Sequence, residues 1–355
     1  MNTETVPNGL RILFVWAGLL LAGCATSSLG KHHPPSRYEF ERPQMGLPFR
    51  LVLYATTPAL ATNAAEAAWS RIAELNTILS DYEPESELSR LSRTGGSGRW
   101  IPLGRDLSRV LIAANMLSRD SNGAFDVTVG PEVALWKRAR RQRELPSKTA
   151  IAEARRLSGW TLVELRRRSG MHEALVARSG MRLDLGAIAK GYALDEAALV
   201  LRQAGIRRFL LAGGGDMVMG DPPPGQTGWR VEAGVFDTPE APTRRLLHLA
   251  NTALATSGDS FQRAEMGGVR YSHIVDPRTG IGMTDHSLVT VICPSAMLAD
   301  ALSTAVSVLG PTGGPDFAAH HGAEVWILRK PSSKVEETQS AGFPREQTPS
   351  PHEGR

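Results

Sequence analysis

The chain is poor in cysteine, in aromatic residues and in net charge. Two cysteines in 355 residues allow one internal disulfide at most. Aromatic residues make up 6%, and the net charge is only +4. Basic residues are scattered except in "WKRARRQREL" and "LRRRSG", both followed by turn-formers. A nucleic-acid surface needs a basic face with interleaved aromatics, so that class of partner is excluded. The N-terminal apolar run, "ILFVWAGLLLA" (12–22), is too short to span a bilayer comfortably. There is no internal repeat. The glycine-rich "AGGGDMVMG" (212–220) is neither G-x-G-x-x-G nor a P-loop, and by itself signals a tight turn.

What is present is an ordinary globular composition, 42% hydrophobic and 21% charged, long enough to bury a real core. Arg11 precedes the apolar run and "LAGC" closes it at Cys24, the pattern of a secretory signal ending in a bacterial lipobox. Residues 1–23 are expected to be a signal peptide, with Cys24 lipidated. Cys293 then stands alone in "LVTVICP" and reads as a small buried hydrophobe. Residues 24–44 are polar and Pro-containing and read as a tether, including His32 and His33, whose alternative reading is a metal pair. Residues 330–355 are rich in Pro, Ser, Glu and Lys and read as a disordered tail, leaving 45–329 as the folded unit.

Within that unit the hydrophobic period alternates. "FRLVLYAT", "WRVEAGVF", "SLVTVICP" and "AEVWILR" read as strands. "NAAEAAWSRIAELNTILS", "LSRVLIAANMLSRD", "KTAIAEARRLSG" and "ALDEAALVLRQAG" read as helices. "ALVARSGMRLDLG" reads as a hairpin turning at Gly180. The lack of a strict βαβ repeat predicts an α+β fold of mixed or antiparallel sheets with packed helices.

"SAMLADALSTAVSVLG" (295–310) predicts one helix with Ser295 as N-cap. Asp300 and Thr304 lie four residues apart and share a face with apolar neighbours. Two explanations stand at this point. One is a solvated Asp and a Thr bonded to its own backbone. The other is a hard-cation site, since Mg²⁺ takes oxygen ligands from carboxylates, water and phosphates.

The segments "MGLPFRLVLY", "LSDYEPESELSRL", "NGAFDVTVGPEVALW", "LDLGAIAKGYALD", "AGGGDMVMG", "ATSGD", "SHIVDPRTG" and "AMLADALSTAVSVLG" follow one another in this order. Together they resemble the ApbE family of flavin transferases, across essentially all of 45–329. The resemblance implies a T-fold-related single catalytic unit that moves FMN from FAD to a protein. It implies Mg²⁺ ligands at Asp300, Thr304 and the Ala187 carbonyl. It implies FAD contacts at Met45, Tyr82, Ala124, Phe125, Asp126, Asp184, Lys190, His273 and Val275. His273 and Asp276 are the implied catalytic residues, with Asp259 a third candidate for the base. Departures occur at Ser260–Phe261, at Ser92, in "GVFDTPE" and in the triple glycine 213–215. These touch pocket edges and bear on acceptor choice.

The function implied is transfer of FMN to a Ser or Thr hydroxyl of an acceptor flavoprotein, releasing AMP. Two alternatives remain: an FAD pyrophosphatase yielding FMN and AMP, and a flavin-binding lipoprotein without chemistry. The expected location is the bacterial cell envelope, lipid-anchored on the inner or outer membrane and facing the periplasm.

Overall fold

The computed structural model describes residues 34–234, 236, 238, 244–258 and 263–345. Eight strands form the central sheet: β1 (Ser36–Gln44), β2 (Leu47–Ala55), β3 (Phe209–Gly213), β4 (Asp216–Met219), β5 (Ala253–Gly258), β6 (Ser287–Cys293), β7 (Glu324–Arg329) and β8 (Glu336–Gln339). Their order across the sheet is their order in the chain, and each pair is antiparallel.

Three helices cover one face: α1 (Pro58–Leu79), α2 (Ala189–Gln203) and α3 (Ala296–His320). Phe49, Leu51, Phe209, Leu211, Val289 and Val325 point into that layer. Val52, Leu254, Leu288, Trp326 and Leu328 point the other way, against a hairpin of Trp229–Ala233 and Arg245–Leu249. Both faces of the sheet are therefore dry. This is why "SLVTVIC" reads as an unbroken apolar run and every residue of β6 is buried. Cys293 is buried in this core, as read from the sequence.

Between β2 and β3 the chain inserts helices Glu87–Arg93, Arg105–Asp120, Gly130–Gln142 and Lys148–Arg156, with the hairpin Val163–Arg168 and Met171–Val176. All pairings among the described residues are antiparallel, so the α+β expectation holds, with the sheets of the antiparallel kind.

Four expectations need correction. Residues 36–44 are strand β1, paired along its whole length with β2. Their alternating side chains and a two-residue turn at Met45–Gly46, both at positive φ, make a hairpin that composition alone disguised. The assigned tail also folds in part: β8 pairs with β7, and Phe343 is buried against Trp326. The hairpin expected at Gly180 is absent; Gly180 does sit at positive φ, but 177–185 forms no strand, and the strand partners of Met171–Val176 are Val163–Arg168 and Ile101–Pro102. Asp184 lies in this non-strand stretch. Helix α3 runs past Gly310 to His320. It kinks there because Gly310 has φ 72° and Pro311 has no N–H to donate. Cys24, the signal segment, His32, His33 and the last ten residues lie outside the described residues.

Candidate active site

Lys190 lies in the first turn of α2. Its ammonium donates to Asp300 Oδ1 at 2.8 Å and to the Gly186 carbonyl at 3.2 Å. It also lies 3.1 Å from Asp216 Oδ2, off the line of a hydrogen bond, so that oxygen has no aligned partner among the described residues. The Gly191 N–H donates to Asp300 Oδ2 at 3.0 Å. Asp300 is only 3% exposed, which excludes the solvated-carboxylate explanation.

Charge in this pocket is strongly coupled. Burial opposes the Lys190 ammonium, but Asp216 and Asp300 outweigh it and raise its pKa. Burial pushes the Asp216 carboxyl up, against the pull of Lys190 and with the push of Asp300, to about 7. Two buried carboxylates facing one ammonium leave an excess of negative charge that a further cation would relieve.

The geometry holds because α2 and α3 cross closely. A Cβ on Gly191 would stand 2.1 Å from the Ala296 carbonyl oxygen, so only glycine fits. The glycine lets one helix approach another. Asp195, also on α2, fixes the start of α3. It accepts from Ser295 Oγ at 2.7 Å and from the N–H groups of Ala296 and Met297 at 2.8 and 3.0 Å. Ser295 Oγ in turn accepts from Leu298 N–H, the predicted cap.

Met45 sits in the β1–β2 turn, partly buried against the core. The neighbouring β3–β4 turn lies close by: a Cβ on Gly214 would stand 2.6 Å from Leu47 Cδ1 and 3.6 Å from Lys190 Cδ. Asp184 Oδ1 accepts from Gly186 N–H at 2.8 Å, shaping the 184–188 turn that carries Ala187. Lys137 stands 3.9 Å from Asp184 Oδ2 and donates to Tyr82 Oη at 2.6 Å. Tyr82 is 71% exposed, an aromatic face presented to solvent. Asp81 beside it is bound by Arg182 at 3.0 Å; burial and the Asp184 charge raise its pKa.

The remaining segments meet at α3. Ala124, Ile274 and Val308 pack in one small cluster, which brings the 122–126 loop and the His273 loop against the helix that carries Thr304. Among the described residues the Thr304 hydroxyl has no hydrogen-bond partner. Phe125 is 2% exposed and belongs to the main core. Asp126 Oδ1 accepts from the N–H and hydroxyl of Thr128, both at 2.7 Å, and burial raises its pKa. Val275 is buried beside Trp136. His273 is partly buried. Both carboxylate oxygens of Asp276 accept from Arg278, at 3.0 Å each, and Arg278 also donates to the Val308 carbonyl at 3.3 Å. Asp276 also accepts from the Arg278 N–H, and so holds the turn that follows it. Asp259 lies outside the described residues.

Sequence reasoning missed Asp216, Asp195 and Arg278. Asp216 directly follows the triple glycine, and a turn by itself gives its carboxylate no partner. Contacts with Lys190 and Thr256, distant in sequence, give it meaning.

Among the described residues no cluster of three His, Cys, Asp or Glu could hold a metal. A cation here would need mixed oxygen donors, which suits Mg²⁺. The Asp216 oxygen that faces Lys190, the Asp300 carboxylate, the Thr304 hydroxyl and the carbonyls of the 186–188 turn provide such donors.

The fold is α+β, with one buried charged centre, Lys190 between Asp216 and Asp300, at the crossing of α2 and α3. The ApbE family profile matches residues 45–327, and the chain belongs to the ApbE family. The FAD:protein FMN transferase of Escherichia coli K12 is 26% identical over 342 residues, 94% of this chain and 96% of the relative. The FAD:protein FMN transferase of Haemophilus influenzae is 30% identical over 279 residues, 76% and 79% of the two chains. The solved structure of the flavin transferase ApbE from Vibrio cholerae is similar with a TM-score of 0.76 at 27% identity, covering 87% of this chain and 99% of that one.

Proposed function

We propose that this chain transfers the FMN moiety of FAD to a Ser or Thr hydroxyl of an acceptor protein and releases AMP. The observation that carries the reading is the Lys190 ammonium set between Asp216 and Asp300 at the crossing of α2 and α3. The family membership and the named activity of the relatives support it.

In the reaction the acceptor oxygen attacks the phosphorus of the FMN half, and the bond to the bridging oxygen breaks, so AMP leaves with that oxygen. Mg²⁺, held by Asp300, Thr304 and the Ala187 carbonyl, would neutralise charge on the pyrophosphate. Lys190 keeps the Asp300 carboxylate oriented and adds fixed positive charge near the phosphates. The exposed ring of Tyr82, pinned by Lys137, offers a stacking face for a planar ring. His273 takes the proton of the acceptor hydroxyl, imidazole being suited to proton transfer near neutrality. With Asp276 engaged by Arg278, His273 has the stronger claim of the two.

The protein is further proposed to work in the bacterial cell envelope, anchored through lipid on Cys24 and facing the periplasm. The lipobox-like "LAGC" supports this.

The test is to incubate the protein with FAD and Mg²⁺, with and without candidate envelope flavoproteins. A mass increase of one FMN on the acceptor is expected. Release of FMN and AMP with no adduct in any acceptor would replace the transferase reading with a pyrophosphatase.

A further inference from the structure

The basic runs noticed in the sequence have no part in the chemistry above. Residues 137–182 hold thirteen Lys and Arg against four Glu, a net of +9. The whole chain has a net of +4, so everything outside this stretch has a net of −5. Lys137, Arg166 and Arg182 of this stretch face Asp184, Glu173 and Asp81, so the surplus rests on the arginines without such a partner.

Part of this charge reaches the site. Arg155 donates to the Arg278 carbonyl at 2.6 Å, and its side chain lies against Gly280, where a Cβ would come within 2.6 Å of Arg155 Cγ. Arg178 donates to the Arg156 carbonyl at 2.6 Å. Arg155, Arg156 and Arg178 are exposed, and none pairs with a carboxylate among the described residues. The buried Glu132 lies behind Arg155, and Glu153 is the one acid on the same helix. The helix dipole accounts for two arginines in the last turn of Lys148–Arg156, but not for Arg178. Ile281, 43% exposed, follows Gly280 directly and adds an apolar contact point.

We infer that Arg155, Arg156 and Arg178 form a docking strip for an acidic segment of the acceptor protein. The inference rests on the transferase reading, because it names the surface that brings the acceptor hydroxyl to the loop of His273. Through Arg155 the strip abuts the 276–280 turn that follows this loop, so a chain bound on it would lie beside the His273 loop. A lipid headgroup bound there would obstruct that chain. Guanidiniums whose only bonds are to carbonyls keep further N–H donors for carboxylates. Complementary charge of this kind speeds encounter and sets register more than it adds affinity.

The experiment uses the full chain and a short fluorescein-labelled Glu-rich peptide, with its Gln counterpart as control, followed by anisotropy. Binding of the Glu-rich peptide is expected to weaken roughly tenfold between low and physiological salt. R156E/R178E should weaken it by about tenfold or more, and R156Q/R178Q by less. FAD binding, read by flavin fluorescence in the same samples, should be unchanged in both variants and reports that they are folded. Equal peptide affinity in wild type and R156E/R178E would overturn the inference. So would retained peptide binding with lost binding to phosphatidylglycerol–phosphatidylcholine vesicles, which would mark a lipid surface. Failure of wild type to bind FAD would overturn the transferase reading instead, and the peptide arm would still decide the strip.

Discussion

The amide of Gly191 donates to Asp300 Oδ2 at 3.0 Å, at the point where α2 and α3 are too close for any side chain on residue 191. The carboxylate that serves the site is thus held by the backbone of a neighbouring helix. Helix packing and site geometry are one feature. Gly191→Ala is expected to force the helices apart, destabilising the fold by about 1–3 kcal/mol. Activity should fall further than stability accounts for, measured as transfer rate at a temperature where the variant remains folded. A variant with wild-type rate would show that the crossing distance is irrelevant to the site.

Asp300→Ala removes a buried charge that offsets both Lys190 and any bound cation. Metal-dependent turnover should collapse at every Mg²⁺ concentration. Thr304→Ala should only shift the Mg²⁺ requirement upward, because a neutral hydroxyl contributes less. Rates across a Mg²⁺ titration distinguish the two. Normal turnover of Asp300→Ala at low Mg²⁺ would remove Asp300 from the site.

His273→Ala should bind FAD with near-normal affinity and transfer FMN about 10²–10⁴-fold more slowly. Raising the pH should restore part of the rate, as hydroxide substitutes for the lost base. Weakened FAD binding with an unchanged saturated rate would identify His273 as a packing residue.

Glu132 is fully buried, accepts from the Ser158 hydroxyl, and leaves Oε2 without a partner among the described residues. Burial raises its pKa above the ordinary 4.5. The folded state therefore binds the proton more tightly than the unfolded chain. The stabilising contribution is complete below pH 4.5 and is lost as pH rises through the folded value. Glu132→Gln should flatten this part of the profile, seen as a smaller fall in melting temperature from mildly acidic to neutral pH. An unchanged profile would place the slope elsewhere, for instance at Asp126 or Asp195, which burial shifts the same way.

Cys24→Ala should release the protein from membrane fractions and leave its catalysis intact. Wild-type protein partitioning into the aqueous phase of a detergent extraction would rule out the lipid anchor.

Much of this architecture is written in local pattern. The period of "SAMLADALSTAVSVLG" and the hydroxyl of Ser295 require a helix starting at 296, whatever surrounds it. The spacing of Asp300 and Thr304 puts them on one face of that helix for the same reason. Folding decided what lies opposite. Asp216 and Lys190 are separated from Asp300 by long stretches of chain, and only the crossing of α2 over α3 and the β3–β4 turn brings the three together. Composition failed at the ends, where "SRYEFERPQ" and "EETQ" are polar enough to read as tether and tail. A strand at a sheet edge keeps much of its surface in water, so its residues need not be apolar. Backbone hydrogen bonding to β2 or β7 holds it, helped by Tyr38, Phe40 and Phe343, and those few apolar residues find their core only once the sheet has formed.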